Sequence, residues 1–169
     1  IDVHQTITLQ KVRQRLVAFS AVHPCAKNFW QRKYGIELSK DHWSIAKTST
    51  REERLRLLHW KLLHNIYPTN ILLFKMGVKD SIRCSYCADN DYIEHFFWNC
   101  AKIKKVWKLC TDYIFKKSNC HVQLVETDVM FGYRPENGNN SFVRFVNHVL
   151  LIVKMTISKF KYGKGYDIA

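Results

Sequence analysis

Glycine and proline are scarce in this chain, six and three among 169 residues. That scarcity excludes collagen-like, low-complexity and linker-rich architectures, and with 47% hydrophobic and 14% aromatic residues it favours a folded, helix-rich protein. Acids are scarce as well, fourteen Asp and Glu against twenty-seven Lys and Arg, for a formal net charge of +13. Such an excess goes beyond what solubility needs and implies a polyanionic partner, nucleic acid first, or an acidic remainder of a parent chain. No apolar run approaches the roughly 20 residues of a membrane span. The longest stretch, VNHVLLIVKM, is broken by His148 and Lys154. The basic residues are spread along the whole chain rather than gathered on one amphipathic helix, so no membrane partner is expected. The chain opens at Ile1 with no initiating Met and no basic-then-apolar leader, and it reads as a piece of a longer polypeptide.

What is present is a concentration of soft ligands. The stretch CSYCADNDYIEHFFWNC holds three of the six cysteines. Cys84 and Cys87 are too close in sequence for a good disulfide, and the pattern CxxC, seven residues, His, four residues, Cys supplies a tetrahedral zinc set. The predicted ligands are Cys84, Cys87, His95 and Cys100, with one structural zinc ion as cofactor. A redox CxxC would open a helix after a strand in an α/β pattern, and no such pattern is visible. Four protein ligands leave no open position for water, so the metal is expected to hold the fold rather than do chemistry. Cys25, Cys110 and Cys120 have no second ligand at suitable spacing and are expected to be small buried hydrophobes. Asp89, Asp91, Glu94 and Asp112 are expected to be turn formers and helix-end charges.

Around this knuckle the periodicity is helical. Leu9, Val12, Leu16 and Phe19 fit one helix over residues 6–23, stopped by His23 and Pro24. AKNFWQRKYG predicts a short helix ended by Gly35, and SKDHWSIAK another capped by Ser39. Thr50 and Glu53 suggest a capping box opening a long helix with Leu55, Leu58, Leu62 and Ile66 on one face, broken by Pro68. Thr69 then caps NILLFKM, closed by Gly77. DYIE predicts a short return strand or the lead-in to a helix. After the knuckle, Ile103, Val106, Trp107, Cys110 and Ile114 fit one helix face, with Lys102, Lys104, Lys105, Lys108, Lys116 and Lys117 crowding the rest. HVQLV reads as a short strand or extended link and YRPENGNN as a loop. A last helix from Ser141 to about Lys161 turns Phe142, Phe145, Val149, Val153, Ile157 and Phe160 inward. The fold class is therefore mainly α, a helical bundle with an embedded CCHC zinc knuckle and at most one short β-hairpin.

The order WKLLHNIYPTNILLFKMGVKDSIRCSYCADNDYIEHFFWNCAKIKKVW resembles the zinc-binding C-terminal domain that follows the reverse transcriptase in LINE-type non-LTR retrotransposon polyproteins. The resemblance rests on the basic Trp-containing helix, the Tyr67-Pro68-Thr69 break, the Leu-rich turn ending in Met76-Gly77, and CxxC followed by HxxxxC. An aromatic pair follows the His and a Trp falls seven residues past the last Cys. With the FGYR loop and final basic helix, it spans roughly residues 40 to 160. It implies residues 1–49 as a helical, thumb-proximal linker, 50–118 as a basic helix plus the zinc-knuckle core, and 119–169 as a loop and C-terminal helix packed on that core.

The same resemblance implies binding of the element RNA, and of target DNA, in support of target-primed reverse transcription. It places the polymerase and endonuclease elsewhere in the polyprotein and the domain in a cytoplasmic and nuclear ribonucleoprotein. The chain lacks the adjacent aspartate pair that a polymerase uses to hold two metal ions, so no catalysis is expected. Arg51, Arg54, Arg83, Lys102, Lys104, Lys105 and Lys108 are the expected phosphate contacts, and Tyr86 and Trp98 the expected stacking platforms. Tyr86 is expected to be exposed, Phe96 and Trp107 to be core. The alternative is a structural scaffold of the same polyprotein, or a module that recruits a host protein, with little nucleic-acid contact.

Overall fold

The computed structural model describes residues 25–163, so the helix expected over residues 6–23 lies outside the described residues. Among these residues the chain is helical throughout, with no strand and a single isolated antiparallel bridge between Arg83 and Asn90. Helix α1 (Cys25–Tyr34) buries Trp30, whose indole Nε1 donates to Leu63 O at 2.9 Å. Gly35, at φ +68°, ends it as predicted. Helix α2 (Lys40–Ser49) follows its Ser39 cap, and the His42 ring meets the Ser39 backbone N–H at 3.0 Å.

Helix α3 (Glu53–Leu63) departs from expectation at both ends. The Thr50 hydroxyl is occupied by the Glu52 N–H at 3.1 Å, so the helix begins after Glu52 and the Thr50/Glu53 capping box does not form. Its end is a Schellman motif, not Pro68. Asn65 adopts φ +53°, and the Ile66 and Asn65 N–H groups return to Lys61 O and Leu62 O. Leu55, Leu58 and Leu62 are buried as predicted, whereas Ile66, beyond the stop, is exposed. Helix α4 (Asn70–Lys75) is capped by Thr69 and closed by Gly77.

Helix α5 (Ala101–Ser118) puts Ile103, Trp107, Cys110 and Ile114 inside and its lysines outside. HVQLV is an extended link, leading to α6 (Glu126–Phe131) and a loop. Helix α7 (Asn140–Tyr162) is the spine: α2, α3 and α5 all pack on it. By length and composition α7 is apolar enough to cross a membrane, against the expectation that no segment is. Its apolar side is instead spent on the core through Val146, Leu150, Leu151 and Ile157. Phe142, Phe145 and Val153 are only half-buried and Phe160 is exposed, because the inward face runs through Leu150, Lys154 and Ser158.

Lys154 is wholly buried and donates to Val129 O at 2.9 Å. Burial pushes its ammonium down to about 7. The neighbouring His59, also buried, is pushed down to about 3 by burial and then by the Lys154 charge.

Candidate metal centre

The knuckle is shaped by its backbone. Cys84 N–H donates to Asp89 O at 2.7 Å, Ala88 N–H returns to Cys84 O at 3.1 Å, and Ala88 takes the left-handed φ of +60°. This tight reversal points both thiols of the CxxC to one side. DYIE is a helix lead-in rather than a strand, and it opens a π-helical turn over His95–Asn99. The turn is closed by the Cys100 N–H on His95 O at 3.1 Å. Two residues five apart on an α-helix diverge by about 140° around the axis, so they cannot meet one ion. The wider i to i+5 turn brings His95 and Cys100 to the same side. The HxxxxC spacing therefore has a backbone cause.

The donor atoms of Cys84, Cys87, His95 and Cys100 all lie within 4.8 Å of one another. Cys87 Sγ is 3.9 Å from Cys100 Sγ and 3.2 Å from His95 Nε2. Bond lengths to tetrahedral zinc imply separations of about 3.8 Å between sulfurs and about 3.6 Å from sulfur to nitrogen, so the set fits. Burial, then the Lys161 charge, lowers the His95 pKa, favouring the neutral imidazole that binds metal. Desolvation pushes the Cys87 thiol up to about 12, so metal binding must displace its proton.

Residues 19–107, which contain all four donors, match a protein family described as zinc-binding in reverse transcriptase. The chain belongs to that family. The donor set and the family match together fit one zinc ion. No curated protein and no solved structure matches the chain.

Around this reverse-transcriptase zinc centre lies a layer of polar contacts that the sequence did not reveal. Asp91 and Glu94 are buried ion-pair partners, which corrects their reading as turn and helix-end charges. Lys161, from the end of α7, donates to Asp91 Oδ1 at 3.2 Å and to Cys84 Sγ at 3.8 Å. The second Asp91 oxygen accepts from Asn70 N–H at 3.2 Å, and Asn70 Nδ2 donates to Arg83 O at 2.6 Å. Glu94 pairs with Lys33 of α1 at 2.5 Å. These bonds tie α1, α4 and α7 to the ligand loop.

The predicted contact residues fall in several settings. Lys102, Lys104, Lys105 and Lys108 are exposed on one stretch of α5, which starts at Cys100. Arg51 and Arg54 are exposed at the start of α3. Arg83 is exposed, yet its Nη1 donates to Ala88 O at 2.8 Å and staples the knuckle. Tyr86 is half-buried, not exposed. Its ring stacks on Phe160 with centroids 5.1 Å apart and 11° between planes, its hydroxyl donates to Phe160 O, and Lys102 sits over the ring. Trp98 is half-buried against Trp107 at 6.1 Å. Phe96 and Trp107 are core, as expected. Cys110 is buried but Cys120, on the link after α5, is exposed, and the Cys25 side chain lies outside the described residues.

Proposed function

We propose that the chain is a zinc-stabilised, non-catalytic nucleic-acid-binding domain of a LINE-type polyprotein, with Cys84, Cys87, His95 and Cys100 as a CCHC set. It binds the element RNA, and target DNA, to support target-primed reverse transcription within a cytoplasmic and nuclear ribonucleoprotein. The observation that carries this reading is the α5 face. Lys104, Lys105 and Lys108 are exposed and none joins an ion pair among the described residues. Their helix begins on a metal ligand, so the zinc fixes where they point. Unpaired cations on a rigid helix release counterions on meeting phosphates, which yields affinity blind to sequence and steep in salt. A non-catalytic role is supported by the engagement of Asp91 and Glu94 in ion pairs with Lys161 and Lys33.

The test is fluorescence anisotropy with labelled RNA and duplex DNA across a salt series. Replacing Lys104 and Lys105 by Ala is expected to weaken binding uniformly across sequences and to flatten the salt slope by about 1.4 for a single strand. An unchanged slope removes the α5 face from the interface. A scaffold reading draws support from Leu109 and Tyr113, which are exposed one turn apart among the lysines. A Leu109→Ser variant that still binds RNA but no longer associates with the polymerase would favour it.

A further inference from the structure

The turn between α2 and α3 forms a shallow cleft of about 530 Å³ lined by Lys47, Arg51, Arg56 and Arg144. Glu52 is the one carboxylate in its lining among the described residues. None of the four cations joins an ion pair among the described residues, whereas Lys33, Arg134 and Lys161 elsewhere in the fold do. Clustering like charges costs energy in the folded chain, and Glu52 offsets only part of it.

Two of the guanidinium groups are held in place. Arg56 Nε donates to Thr50 O at 2.9 Å, and Arg144 Nε, from α7, donates to Thr48 O at 3.0 Å. Each tether engages Nε and leaves both terminal amino groups for a ligand with paired oxygens. Helix α3 starts at this cleft without a side-chain cap, so its first-turn N–H groups add positive potential. Ser49 Oγ and His148 Nδ1, buried atoms of two lining residues, have no hydrogen-bond partner among the described residues.

We propose that this cleft anchors the phosphodiester backbone of the bound nucleic acid, as a second site separate from the α5 face. The proposal rests on the nucleic-acid reading above and deepens it. Lys102 and Lys105 of α5 meet α7 at Phe160, twelve positions beyond His148. That separation is about 18 Å along the helix, roughly five nucleotide steps of a helical strand. The two sites also lie about 120° apart around the axis of α7, so one strand reaches both by crossing the helix obliquely. Arg54, although exposed nearby, does not line the cleft.

The experiment is anisotropy of a fluorescein-labelled, mixed-sequence single-stranded RNA with the zinc-loaded chain, in a salt series. Lys47→Ala/Arg51→Ala alters two exposed side chains with no hydrogen bond among the described residues, so melting temperature and zinc content are expected to stay at wild-type values. The salt slope is expected to flatten by about 1.4, at about 0.7 per lost contact. Lys47→Arg/Arg51→Lys is expected to retain it. Arg144→Gln, which approaches from another helix, is expected to flatten the slope by about 0.7 on its own. A wild-type slope in both Lys47→Ala/Arg51→Ala and Arg144→Gln, with the Lys104/Lys105 variant still responsive, overturns the cleft and leaves the nucleic-acid reading standing. A wild-type chain that binds neither RNA nor duplex DNA at low salt overturns both.

Discussion

Lys161 and Cys84 are joined by an N–H···S contact of 3.8 Å across 77 positions of sequence. Three thiolates around a divalent ion leave one net negative charge, and a buried ammonium beside one sulfur offsets it. The same ammonium satisfies Asp91, and both side chains are almost wholly buried. Lys161→Met is therefore expected to lower zinc affinity by about 10- to 100-fold, measured by competition with a chromogenic chelator. It should also cost about 3–5 kcal/mol of stability by stranding the Asp91 charge. Adding Asp91→Asn should recover most of the stability but not the zinc affinity. Equal recovery of both would show that the lysine serves only Asp91.

Zinc removal should act on the core as a whole. Cys84, Cys100, Phe96, Phe97 and Trp107 belong to the same buried cluster as Trp30 and Leu150. Chelation, or His95→Ala, is expected to remove stabilisation on the order of 10 kcal/mol, comparable to the whole net stability of a domain. Far-ultraviolet circular dichroism should show loss of helix well beyond residues 84–100. Retention of full helicity without metal would contradict a structural role.

Lys154 predicts an alkaline gain. Its folded pKa, about 7, lies below the ordinary 10.5, so between these values the unfolded chain binds a proton that the folded chain does not. Stability therefore rises with pH through that window. Cys110, pushed up by burial to about 11 from 9, works in the opposite direction above pH 9. From about pH 7 to 9 the Lys154 gain is about 2–3 kcal/mol. Urea unfolding of Lys154→Met against wild type isolates it, because proton release at the zinc ligands is common to both. Parallel pH profiles for the two proteins would place the Lys154 ammonium in its charged form inside the fold.

Gly132 occupies φ +100°, a region for glycine alone, where an added Cβ would come within 2.5 Å of Ile45 Cδ1. The strand of backbone beyond it is clamped by Asn147, which accepts from Tyr133 N–H at 2.8 Å and donates to Tyr133 O at 2.9 Å. With its positive φ and its close contacts to Ile45 and Asn147, Gly132→Ala is expected to cost about 2–4 kcal/mol, read from chemical denaturation. A loss below half a kcal/mol would mean that the loop can move.

Local signals were legible because they act over one turn. Ser39 and Thr69 cap where their side chains suggest, Gly35 and Gly77 terminate where a left-handed residue is needed, and the CxxC and HxxxxC spacings converge. Two ends of α3 misled for equally local reasons. Thr50 spends its hydroxyl on Glu52 N–H, and Asn65 does what a glycine usually does, so the helix stops before Ile66. The partners of Asp91 and Glu94 lie 70 and 61 positions away. No periodicity carries that pairing, and Lys154 looks like any surface lysine until α3 and α6 close over it. Tyr86 reads in the sequence as an exposed turn aromatic because Phe160, which covers it, sits on a helix far along the chain.

The wide turn at His95–Asn99 also sets a compass bearing. Helix α5 leaves the metal at Cys100, and each residue added to or removed from FFWN would swing its outward side by about 100° about the axis. The length of that short segment, more than its aromatic content, therefore decides which way the lysine row looks out from the protein.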